Sequence, residues 1–153
     1  MQSRLLHFVL YLSGTVAMLY GVHTDWVDDG SFRLQDHPGG SLFGFAHLLT
    51  SFGTFTVIGW SIYNALTYTK REPPSSPAMA KTALATAAFA AIAFVAAIVL
   101  TIAAYSSAVP ASTLLEAPAK LPHVTMSPWL ALEGCASIAI GALLLWRAER
   151  RRK

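Results

Sequence analysis

Charge is scarce in this chain. Only 12% of its 153 residues are Asp, Glu, Lys or Arg, about half the share usual in soluble domains. Cysteine is nearly absent. The single Cys135 sits inside an apolar run, so no internal disulfide can form and no Cys-x-x-Cys metal motif exists. No His-x-x-x-His pair occurs either. The Gly-Gly at 39–40 lacks the rest of any phosphate-binding glycine pattern. Serine is plentiful, yet no Ser shows the base and orienting partner that nucleophilic catalysis needs. The reading therefore leans away from an enzyme.

What the chain has instead is apolar surface, 54% of residues, gathered into four runs. These are Leu5 to Val22, Leu42 to Tyr68, Thr82 to Tyr105 and Trp129 to Trp146. Each is close to the roughly 20 residues that carry a helix across a bilayer. Lipid offers a backbone no hydrogen-bond partners, so spanning segments must be helical. The expected fold is an all-α, four-transmembrane-helix bundle in one domain, residues 1–153. A water-soluble core would need polar helix faces, and the third run has almost none. The first run reads as a retained helix rather than a cleaved leader. Arg4 is the only charge before it, and no small-x-small cleavage site clearly follows.

The few cations are unevenly placed. Arg4, Lys70, Arg71, Lys81, Arg147, Arg150, Arg151, Arg152 and Lys153 fall on one side of the four-span topology, Arg33 and Lys120 on the other. The positive-inside rule puts the larger group, and with it both termini, in the cytoplasm. The last five form a basic tail, 147–153, suited to anionic lipid headgroups and to fixing topology. A basic run beside a span reads as an anchor, so nucleic acid is not expected as a partner. The 23–47 stretch and the Pro-rich 106–128 connection then face outside, with Trp26, Phe32 and Trp129 near the outer interface. A bacterial inner membrane is the expected location.

Helices in lipid associate through close packing, which small residues permit. Ala83, Ala87 and Ala91 recur at every fourth position of the third run. Gly134, Ser137 and Gly141 lie along one side of the fourth. They are the expected packing positions, within the bundle or against a larger partner.

The stretch "HTDWVDDGSFRLQDHPGGSLFGFAH" holds three of the five histidines and four of the eight acidic residues. His-Pro-Gly-Gly at 37–40 resembles the signature around one haem ligand of soluble cytochrome b5 domains, which implies His37 as a haem ligand. Those domains are mixed helix and sheet with a second histidine in the same fold. Here the string lies in a short loop between two spans, and its residues read as a Pro-Gly-Gly turn opening the second helix.

His47 is different. It falls about 8 Å below the outer end of the second helix, at about 1.5 Å per residue. Ionisable groups inside a membrane are functional candidates by default. His47 also heads a polar stripe, with Thr50, Ser51, Thr54 and Ser61 at helical spacing. Pairing with His7 across one haem is excluded, since the two differ in depth by roughly 15–20 Å. His23 and His123 lie at a usable height. A haem b between His47 and either of them is one expectation. A divalent cation held by His47, Glu133 and His37 is another. Glu133 is the only carboxylate within an apolar run. "HVTMSPW" places His123 three residues before Met126, a pair of copper-ligand types without a spacing motif.

Three functions follow as expectations. The first is a non-catalytic accessory subunit of a larger respiratory or transport complex. The second is a haem- or metal-binding membrane protein using His47 with His23 or His123. The third is an oligomeric transporter or channel lined by the His47–Thr54 stripe.

Overall fold

The computed structural model describes residues 2–28, 30, 32–68, 74–108 and 123–151. Four helices dominate: α1 (Gln2–His23), α2 (Gly40–Thr67), α3 (Pro77–Ala108) and α4 (Ser127–Arg151), with a 3-10 turn at Leu34–Asp36 before α2. All four are long and apolar enough to cross a membrane.

Local chemistry sets several of the helix starts. Before α3, the Met79 N–H donates to the Ser76 hydroxyl at 3.3 Å, and Pro77 occupies the first position. That position needs no N–H and suits a fixed φ. At α4, Thr125 lies one residue outside the cap and accepts from the Ser127 N–H at 3.2 Å, and Pro128 takes the second helical position. The Pro-Gly-Gly turn opens α2. Gly39 is left-handed (φ 89°), and a Cβ on Gly40 would collide with the Leu34 carbonyl oxygen. Both glycines of the His-Pro-Gly-Gly string are thus required by the turn.

The helices outrun the apolar runs that announce them. α3 is 32 residues long, and α4 continues through Arg151. The expected tail at 147–153 is therefore largely the last turn of a helix. Arg, Ala and Glu are good helix formers, and cations near a helix C-terminus oppose its dipole. The Arg150 guanidinium also lies over the Trp146 ring, 4.9 Å from its centroid. Arg147, Arg150 and Arg151 are exposed. Arg152, Lys153, Lys70, Arg71 and Lys120 lie outside the described residues.

Neighbours run in the order α1, α4, α3, α2, and α1 barely touches α2. The α1–α4 seam is a backbone-to-backbone approach. A Cβ added to Gly14 would come 2.9 Å from the Gly134 carbonyl oxygen. One on Gly134 would come 2.5 Å from the Met18 amide nitrogen, and one on Gly21 would come 2.5 Å from that of Ala131. Gly141 takes in Leu10 from the same helix. Where α2 meets α3, Gly53 leaves room for the Thr86 side chain.

In α3 the buried positions are 83, 86, 87, 90, 93, 96, 97, 100, 101, 104 and 108, while Ala91 is exposed. The every-fourth-residue set therefore splits between the inside of the bundle and its outer surface. Steps of four rotate about 40° per repeat on a helix of 3.6 residues per turn. Alternating steps of three and four hold one face, so Ala83 and Ala87 are inside and Ala91 is not. Gly134 and Gly141 are buried and Ser137 is half-buried.

Candidate functional site

The richest chemistry lies at the bundle end that joins α1 to α2 and receives the segment before α4. Val27 and Val124 pair as an isolated antiparallel bridge. The Asp28 N–H donates to the His123 carbonyl at 3.0 Å, and the Thr125 N–H donates to the Trp26 carbonyl at 3.0 Å. Side chains reinforce this clasp. The His123 N–H donates to Asp28 Oδ1 (2.9 Å), and the Thr125 hydroxyl donates to the Asp25 carbonyl (2.6 Å). Trp26 Nε1 donates to the Gly21 carbonyl at 2.6 Å, so the indole is pinned over the end of α1.

A chain of rings grows from Trp26. Phe32 stacks on it at 5.9 Å, and His37 stacks on Phe32 at 4.1 Å. Phe43 meets Trp26 edge-on at 6.2 Å, and His47 lies nearly parallel to Phe43 at 6.4 Å. Trp26, Phe32 and Phe43 are buried. Trp26 and Phe32 form the core of the cap, while Trp129 is half-exposed.

Beside the clasp a cavity of about 460 Å³ opens between the end of α1, the 3-10 turn and the start of α2. His23, Asp25, Arg33 and Gln35 supply polar lining, with Trp26 and Phe43 on the apolar side.

The predicted histidines therefore converge on one end of the bundle but play different parts. His23 is exposed at the cavity. His37 is half-buried against Phe32, and His123 is exposed, with its backbone tied into the clasp. Glu133 is not with them. It is exposed on a separate, largely apolar groove of about 660 Å³ with Val9, Leu12, Val16 and Tyr20 of α1. Among the described residues no three His, Cys, Asp or Glu side chains gather as a metal site would require.

Below His47, three polar groups of α2 are unusual. His47 Nδ1, Ser51 Oγ and Thr54 Oγ1 are buried without a hydrogen-bond partner. Positions 47, 51 and 54 share one helix face. Elsewhere, Thr15, Thr50, Thr56, Thr86 and Thr101 each return their hydroxyl proton to the carbonyl one turn back, at 2.6 to 2.8 Å. Thr54 does not. Tyr11 on α1 likewise has a buried, unpartnered hydroxyl.

Sequence reasoning missed Glu149. It is buried at the opposite end of the bundle, where its carboxylate accepts the Ser76 N–H at 2.9 Å. It also missed Gly14 and Gly21, the α1 side of the glycine seam.

No protein-family model, curated protein or solved structure matched this chain.

Proposed function

We propose that this chain is a multi-pass membrane protein acting as a non-catalytic subunit of a larger membrane complex, respiratory or transport. The cation asymmetry of the sequence supports cytoplasmic termini in a bacterial inner membrane.

One observation carries the subunit reading. Gly14, Gly21, Gly53, Gly134 and Gly141 each take in a neighbouring helix, whereas a Cβ on Gly59 would meet nothing within 4 Å. Gly59 is exposed in α2, flanked on the same outward face by Phe52, Phe55, Ile62 and Leu66. A dent between large apolar side chains is the shape that a partner's transmembrane helix fills, because close approach drives association in lipid.

The test is purification of the tagged full chain from its own host in mild detergent, with co-purifying chains identified by mass spectrometry. A stoichiometric partner that Gly59→Leu removes is the expected result. Recovery of the wild type alone, as monomer or homo-oligomer, overturns the reading.

A second reading is favoured by the unpartnered atoms of His47, Ser51 and Thr54: a path for protons or small polar solutes, formed in an oligomer. Solute flux in reconstituted vesicles that Thr54→Val abolishes would select it over the first.

A further inference from the structure

The cavity beside the clasp has a composition that points to one ligand chemistry. Arg33 and Asp25 place opposite charges on a single lining, with Gln35 and Ser41 as neutral hydrogen-bonding groups. Asp25 is held by its backbone: its carbonyl accepts from both the Thr125 and the Ser127 hydroxyls, at 2.6 and 3.0 Å. The main chain thus anchors Asp25, which is an exposed residue of the cavity lining. At about 460 Å³ the cavity is within the range of roughly 300–1,000 Å³ typical of small-molecule sites. Its floor is apolar, with Val22, Phe43 and Gly44.

We propose that this cavity binds a phosphoethanolamine group, with the phosphate at Arg33 and the ammonium at Asp25. A guanidinium suits phosphate oxygens because its planar fork offers paired donors. A carboxylate suits a primary ammonium, which carries three donors and no acceptor. A trimethylammonium group would need open aromatic faces around it. Here Trp26 and Phe32 are stacked face to face on each other and buried, so that cage is not offered.

The place of the cavity matters as well. It lies at one end of four helices that are long and apolar enough to cross a membrane. The ends of spans meet the headgroup layer. Gly44 lines the cavity and leaves open space where a side chain would stand, and Leu48 one turn further along α2 is exposed. An acyl chain leaving the cavity would run over Gly44 onto this apolar flank. The inference rests on the membrane reading but not on partner docking, so either can fail without the other.

The experiment uses the full chain in mild detergent with equal amounts of phosphatidylethanolamine, phosphatidylcholine and phosphatidylglycerol, read by native mass spectrometry. Phosphatidylethanolamine adducts are expected to exceed phosphatidylglycerol adducts by about tenfold, the size of one charge-assisted hydrogen bond. Asp25→Asn should bring those two lipids level, and Arg33→Gln should lower retention of all three. Free phosphoethanolamine is then added to the wild type. Displacement of the lipid would show that the headgroup chemistry suffices and that a soluble source also fits, and no displacement would assign the site to the lipid. Equal retention of the three lipids by the wild type, or a preference untouched by both substitutions, overturns the proposal. The wild-type comparison stands even if a variant does not fold.

Discussion

Glu149, near the end of α4, holds the start of α3: its Oε2 accepts the Ser76 N–H at 2.9 Å while the residue is only 2% exposed. The carboxylate therefore sits where the α3 backbone presents unpaired N–H groups and the positive end of its dipole. Ser76 is itself the cap, since its hydroxyl accepts from Met79 and its carbonyl accepts from Ala80 at 3.0 Å. One side chain thereby ties the end of α4 to the start of α3, at one end of the packed α3–α4 pair.

Glu149→Ala should then cost about 2 kcal/mol or more, as expected when a buried donor loses a charged acceptor. Glu149→Gln keeps an acceptor oxygen and should cost less. Thermal unfolding of the two variants in the same detergent checks the order. Equal stability of Glu149→Ala and wild type would show that water replaces the carboxylate.

The α1–α4 seam gives a sharper contrast. A side chain at Gly134 would press on the Met18 amide and the Gly14 carbonyl, both backbone atoms that cannot swing away. Gly134→Leu should destabilise by about 3 kcal/mol, at the upper end for overpacking. Gly59 faces open space, so Gly59→Ala should stabilise the isolated protein by about 0.5–1 kcal/mol, the ordinary helix-interior gain. Opposite shifts in melting temperature are the expected readout.

These two glycines show what was legible in the sequence and what was not. The four long apolar helices were legible, because a run without charge is a property of composition alone. So was the turn at Pro38, Gly39 and Gly40, which needs only local backbone chemistry. Gly134 and Gly141 could be marked as small, but their counterparts Gly14 and Gly21 emerge only once α1 is laid against α4. The exposure of Ala91 was hidden for a related reason: the buried face follows alternating steps of three and four, and a four-residue repeat drifts off it. Glu149 was hidden by its surroundings. Within "RAERRRK" it reads as one more solvated charge, and its role depends on α4 running on past Trp146 to reach the start of α3. At the other end, the sequence grouped Glu133 with the histidines, whereas the helix register turns it toward a different groove.

Thr54 provides a test of the polar stripe. Its hydroxyl is 0% exposed and unpartnered, whereas Thr50, one turn earlier, bonds the Ala46 carbonyl at 2.7 Å. Thr54→Val replaces an unsatisfied donor with a methyl group of nearly the same shape, so it should stabilise by about 1 kcal/mol. Thr50→Val removes a made bond and should be neutral or destabilising. A Thr54→Val variant that melts lower than wild type would mean that water or a bound group satisfies the hydroxyl in solution.

Trp26 should prove the keystone of the clasp. Its indole N–H reaches the Gly21 carbonyl at 2.6 Å, its face stacks on Phe32, and its edge meets Phe43. Its own carbonyl takes the Thr125 N–H, which ties the cap to the start of α4. The two side-chain roles can be separated. Trp26→Phe keeps an apolar ring and loses only the donor, leaving the Gly21 carbonyl one partner short at a cost of about 1 kcal/mol. Trp26→Ala also empties the centre of the ring chain, where large-to-small changes cost about 3–5 kcal/mol. Hydrogen exchange at Asp28 and Thr125, the two clasp amides bonded to backbone carbonyls, distinguishes them: little changed in Trp26→Phe, fast in Trp26→Ala. Fast exchange in both variants would mean that the indole hydrogen bond, rather than the stacked rings, holds the clasp closed.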